Sequence, residues 1–153
     1  MIPNVKFKKK DDYNTTLEAW ELIFKHINCR DKVVWLPFYN DGLASIHLNK
    51  LKINHIHQNT DFFTTDVSFD YIIDNPPYSI KQTVIEHCLS LKKPFALLLP
   101  IDTIERKYMR DKNFTIIIPN KRYKFEEAQN TTPVFKVCWF CFGFDLPRQI
   151  IYE

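Results

Sequence analysis

The chain has 153 residues, of which 45% are hydrophobic and 25% charged, with 21 basic and 18 acidic side chains giving a net charge of +3. That is the size and usage of one globular domain able to bury a core without disulfide staples. Two glycines against 13 phenylalanines exclude a collagen, a Gly/Ser linker and a disordered tail. No apolar run approaches the roughly 18–20 residues of a membrane span. The first ten residues carry lysines and no apolar core of a signal peptide. The expectation is a single domain over residues 1–153, intracellular and cytoplasmic, with no membrane role.

The spacing predicts a helix over 15–27, where Leu17, Trp20, Leu22, Ile23, Phe24 and Ile27 recur at helical intervals behind two threonines that can cap it. A buried strand follows at 32–36, closed by Pro37. Then come a helix over 43–51, a strand at 52–57 and a strand at 69–74. A helix over 80–91 is next, with Ser79 placed to cap it. A strand at 95–99 sits between prolines, a helix follows over 103–109, a strand at 114–118, and a long aromatic strand runs across 134–144. Short apolar strands alternating with helices predict an α/β fold: a doubly wound, mostly parallel sheet covered on both faces. The late strands, with little helix between them, predict an antiparallel edge. Ligands of such sheets bind beyond the carboxyl ends of the strands, so the loops that matter are 37–42, 58–63, 75–79 and 100–103.

Four cysteines lie in a chain without secretory signs, so free thiols are expected. Cys138 and Cys141 match a C-x-x-C spacing, but in a strand they point to opposite faces and cannot share a metal. His55 and His57 lie two apart on a predicted strand with no third ligand nearby, so no metal site is expected. The basic clusters at 6–10, 92–93 and 121–124 permit a polyanion partner without demanding one.

The loop at the end of the 69–74 strand carries the chemistry. It reads Asp74-Asn75-Pro76-Pro77-Tyr78-Ser79. Two adjacent prolines fix an extended turn and remove two backbone donors. What remains is an amide oxygen on Asn75, the carbonyl of Pro76 and the ring of Tyr78. Two acceptors beside an aromatic plate suit a planar group that bears an NH₂.

At these residues the sequence resembles the S-adenosylmethionine-dependent amino-methyltransferases, which include the N6-adenine DNA methyltransferases and carry Asn-Pro-Pro-Tyr at a strand end. Pro37-Phe38-Tyr39-Asn40-Asp41-Gly42 looks like the family's cofactor loop, and Tyr13-Asn14-Thr15-Thr16 like its upstream cofactor segment. Asp61-Phe62 falls where the family often sets an Asp-Phe pair against the adenine of the cofactor. The stretch from Lys121 to Phe125, with the aromatic strand after it, is similar to small viral and phage members. The likeness covers roughly residues 11–144.

It implies a Rossmann-like, class I methyltransferase-type fold in a minimal version without a target-recognition domain. It implies S-adenosylmethionine as cofactor and methyl transfer to N6 of adenine, in DNA rather than RNA. Asn75, Pro76 and Tyr78 are then catalytic. Tyr13, Thr15, Pro37, Phe38, Asn40, Gly42, Asp61 and Phe62 contact the cofactor, and Lys121, Arg122 and Lys124 bind nucleic-acid phosphates. A viral member would work in the host cytoplasm, and a protein partner or a homodimer is allowed. Leu36 stands where the family has an acidic residue, Asn40 where it has its first glycine, and His57-Gln58 where it grips the ribose. Those departures keep two alternatives open: a non-catalytic relative serving as a subunit or binding protein, and an enzyme acting on RNA or a protein glutamine.

Overall fold

The computed structural model describes residues 15–123 and 136–153. Tyr13 and Lys124 lie outside the described residues. Among the described residues seven strands form one sheet in the order β2-β1-β3-β4-β6-β5-β7. In chain order these are β1 (Val34–Trp35), β2 (His55–Ile56), β3 (Tyr71–Asp74), β4 (Phe95–Pro100), β5 (Thr115–Ile118), β6 (Val137–Phe142) and β7 (Ile150–Tyr152). β1, β2, β3 and β4 are mutually parallel, and β7 is parallel to β5. β6 is antiparallel to both β4 and β5 and lies between them. The reversal therefore falls on the late-strand side, as expected, and all the other strands point one way.

Side-chain alternation divides the sheet into two cores. On β1, Val34 and Leu36 enter one cluster and Trp35 the other. On β4, Ala96 and Leu98 oppose Phe95, Leu97 and Leu99; on β6, Val137, Trp139 and Cys141 oppose Cys138, Phe140 and Phe142. The first face is covered by α1 (Leu17–His26), through Ala19, Trp20, Leu22 and Ile23, and by Leu48 of α2 (Leu43–Lys50). The second is covered by Val84, Ile85 and Cys88 of α3 (Lys81–Ser90), and by Phe62 and Phe69 from the irregular stretch before β3. Strands buried on both faces need apolar residues at every position, which is why β4 and β6 read as unbroken apolar runs. No helix among the described residues is long and apolar enough to cross a membrane.

Three expectations change. The predicted helix over 103–109 is two short 3-10 turns, Ile101–Glu105 and Lys107–Met109, which bury only Thr103 and Met109. Two anchors six residues apart do not offset the cost of nucleating an α-helix. Ser79 is not the N-cap residue of α3: it lies inside a 3-10 turn over Tyr78–Ile80, and the N-cap position belongs to Ile80. β7, which the sequence reading leaves unassigned, is a half-exposed edge strand held by pairing to β5.

All four cysteines are free and buried. Cys138 and Cys141 face opposite cores, as strand geometry requires. Burial pushes the Cys29 thiol up to about 12 and Cys138 to about 11, and raises Cys88 and Cys141 as well. The thiolate is the reactive form. Ellman's reagent at pH 8 should therefore find almost no reactive thiol in the folded chain and all four after denaturation.

Candidate active site

Chain order reverses between β1 and β3. β2 lies on one side of β1, and β3, the next strand in sequence, lies on the other. The crevice beyond the carboxyl ends at such a switch point is where open α/β sheets bind ligands. Two loops leave the sheet there: 37–42 after β1, and 75–79 after β3. They are the two loops singled out from the sequence.

One carboxylate joins them. Asp74 ends β3, is 3% exposed, and takes two backbone hydrogen bonds. The Phe38 N–H donates to its Oδ2 at 2.8 Å, and the Asn75 N–H donates to its Oδ1 at 2.8 Å. With both oxygens engaged by backbone, Asp74 holds the loops in register and is not aimed at a substrate. Burial pushes its carboxyl up to about 8, against the pull of the two N–H donors.

The first loop turns through two left-handed residues, Asn40 at φ 51° and Gly42 at φ 83°. Asn is the side chain that best tolerates this region after glycine, which is why it stands where the family pattern has glycine. Asp41 Oδ1 accepts from the Leu43 N–H at 3.0 Å and starts α2. Tyr39 lies over Gly42, so close that a Cβ there would sit 2.8 Å from its hydroxyl. The same ring stacks on His57 with centroids 4.9 Å apart. His57 in turn bonds the Leu36 carbonyl through Nδ1 at 3.1 Å. Leu36 itself is fully buried in the core, so no carboxylate occupies that position.

Between the loops lies a recess of about 30 Å³ walled by Thr15, Trp20, Phe38, Tyr39, Asn40, Ala44, Asp74 and Asn75. Of the residues expected at a site, Thr15, Phe38, Asn40 and Asn75 meet here. Pro37 and Pro76 are buried beside them. Tyr78 is half-buried and packs against both cores, bridging the two faces below the loop. Phe62 is also core: its ring lies 5.2 Å from Phe38 and 5.4 Å from Trp35, so it supports the first loop from beneath. Asp61 is exposed and caps a turn by accepting from the Phe63 N–H at 2.9 Å. Trp20, Tyr39, Ala44 and Asp74 are the wall residues that sequence reasoning did not assign a site role, although Tyr39 lies within the loop it singled out. Trp20 reads as an ordinary core position of α1, and nothing in the sequence separates it from its apolar neighbours.

Lys121 and Arg122 follow β5, at the same sheet edge but three strand spacings from β3, about 14 Å. Lys121 Nζ pairs with Glu18 at 2.9 Å, tying this loop to the first turn of α1. The groove beside it mixes Lys25 and Lys121 with Glu18, Glu21 and Glu153. Neither His55 nor His57 is presented as a metal ligand pair: the nitrogens of His55 meet Ser45 Oγ at 2.6 Å and the Ile53 carbonyl at 2.7 Å.

No model of a known protein family and no curated protein matches this chain.

The Asp74 clamp has a pH signature. Its carboxyl is raised from 3.8 to about 8 in the fold, so between those values the folded chain keeps a proton that the unfolded chain has released. Stability should therefore fall as pH rises from about 4 to about 8. In Asp74→Asn that slope should disappear, and one loop N–H should face an amide NH₂, costing about 1–3 kcal/mol in urea unfolding at pH 5. The left-handed turn is checked separately: Asn40→Gly should be neutral to within about 0.5 kcal/mol, whereas Asn40→Val should cost about 1–2 kcal/mol.

Proposed function

We propose that this protein is an S-adenosylmethionine-dependent amino-methyltransferase with a Rossmann-like sheet, acting on N6 of adenine in DNA. The observation that carries the reading is the joining of the Asn75-Pro76-Pro77-Tyr78 loop to the 37–42 loop by Asp74 at the switch point of the sheet. A catalytic motif and a cofactor loop must be neighbours for transfer to occur, and here one buried carboxyl sets their spacing.

Bound S-adenosylmethionine supplies an electrophilic methyl carbon on a sulfonium sulfur. The residues at hand fit its retention: Thr15, Asn40 and Trp20 wall a polar recess, and left-handed backbone at 40 and 42 lets the loop approach a ligand closely. Tyr39 covers Gly42 and stacks on His57, so the adenosine would need that ring displaced to lie there.

The amine of adenine is a weak nucleophile because its lone pair is delocalised into the ring. Asn75 Oδ1 and the Pro76 carbonyl accept its two hydrogens and favour the pyramidal nitrogen reached at the transition state. In this reading Tyr78, anchored against both cores beneath the loop, would support the base plane from below, and alignment of the reactants would supply much of the rate. With the cofactor bound, the nitrogen lone pair would take up the methyl carbon, the C–S electron pair would return to sulfur, and the charged nitrogen would release a proton to water. No carboxylate base is needed, in keeping with an Asp74 that is turned to backbone. A base in duplex DNA must first leave the stack. In this reading Lys121 and Arg122, which follow β5, would hold the phosphates beside that base, Lys121 exchanging its pairing with Glu18 for them.

A second reading is favoured by one group of contacts. Leu36 is buried where an acid would hold the cofactor, and Tyr39 covers Gly42. A chain that keeps this arrangement permanently is a non-catalytic relative. Calorimetry with S-adenosylmethionine separates the two, since micromolar binding is expected of the enzyme and none of the relative. With labelled methyl donor and adenine-containing DNA, Asn75→Ala should lose transfer by at least about 100-fold while cofactor affinity stays within about threefold. Undiminished transfer by that variant would sink the catalytic assignment.

A further inference from the structure

Two tryptophans meet on the α1 face of the sheet, Trp20 and Trp139, with ring centroids 5.6 Å apart. Both are fully buried. Trp139 donates its indole N–H to the Ala19 carbonyl at 3.0 Å. Trp20 Nε1 is equally buried and has no acceptor among the described residues. A buried indole N–H ordinarily finds a partner, and leaving it unpaired is destabilising. Trp20 also forms part of the wall of the recess between the two loops. Four residues earlier, Thr16 Oγ1 is likewise buried without a hydrogen-bond partner among the described residues. It stands at the N-cap of α1, where no side-chain cap bond forms. Two of the buried polar atoms without a partner among the described residues therefore belong to the start of α1, the helix that borders the recess.

An indole N–H donates and cannot accept, so whatever satisfies it must carry an acceptor. We propose that Trp20 is a ligand-binding residue whose Nε1–H donates to a carboxylate oxygen of the ligand held between these loops. The inference rests on the reading of the site as one for S-adenosylmethionine, whose single carboxylate is on its methionyl end. That end then enters the recess, and the adenosine lies outside it, toward Tyr39 and His57. Size agrees, since about 30 Å³ admits a carboxylate and not a nucleoside. Charge agrees too. The recess adjoins the start of the ten-residue α1, where the helix dipole favours an anion. Asp74 on the same wall has its carboxyl raised by burial to about 8, which favours its neutral form and lessens repulsion of the incoming group.

The test uses the full chain, ¹⁵N-labelled at its indoles, with two probes: S-adenosylhomocysteine, and methylthioadenosine, which lacks the amino-acid end. The Trp20 indole resonance should move with the first probe and stay in place with the second. Trp20→Phe should weaken S-adenosylhomocysteine binding about 10- to 100-fold and leave methylthioadenosine within about twofold. If that variant does not fold, the resonance in the unaltered chain, assigned through its own amide, still decides. A stationary Trp20 indole with S-adenosylhomocysteine bound overturns the proposal and spares the cofactor reading, as does equal loss of both probes in Trp20→Phe. Failure of the unaltered chain to bind either probe at millimolar concentration overturns the cofactor reading and this proposal with it.

Discussion

The arrangement of the site depends on one buried carboxyl. Asp74 closes β3 and takes the N–H of Phe38 on one oxygen and the N–H of Asn75 on the other. Neither donor has a strand partner, because both have just left the sheet, and each would be costly to bury unpaired. The same contact that removes that cost fixes where the two loops lie relative to each other. An apolar residue at 74 would suit the core equally well and would leave the loops unconnected. The position is polar because the loops need it, and burial then moves its proton equilibrium far from that of a carboxylate in water.

The two cores give this clamp its rigidity. β4 and β6 are buried at every position, and their side chains alternate between the clusters without a break. Aromatic rings carry the second core up to the site: Phe69 against Trp35, Trp35 against Phe62, and Phe62 against Phe38. Phe38 is the residue whose N–H meets Asp74, so the base of the first loop is packed from below and hydrogen-bonded from the side. Tyr78 does the same for the second loop by touching both clusters. By contrast, Tyr39 and Asn40 lie at the outer surface of the first loop, held by a ring stack and a left-handed turn. A ligand that enlarges the recess would displace these outer residues and leave the packed base in place.

Several features of the fold were legible because they are local. Helical spacing in 17–26, the proline-bounded apolar run 95–99 and the long aromatic run at 134–144 each encode an element through its own neighbours. The opposed cysteines of C-x-x-C followed from strand geometry alone. The helix expected at 103–109 failed because periodicity counts apolar residues without knowing which of them find a core. β7 was missed because a three-residue edge strand has no pattern of its own and exists through its pairing with β5. For the site, the motif loop and the left-handed Asn40 could be read from residue types. Phe62 could not be sorted, since a ring beside a ligand and a ring beneath a loop look alike in sequence.

What the sequence determined by itself was therefore the order of elements, the burial of strands on both faces and the chemistry available in the loop after β3. These are set by side-chain periodicity and by the stiffness of two prolines, which act over a few residues. Tertiary structure alone decided that β6 would insert antiparallel between β4 and β5, that Asp74 would serve two loops 36 residues apart, and that Trp20 would stand at the recess with its N–H unmatched. Each of those depends on which distant backbone or side chain arrives alongside, and no local pattern carries that information.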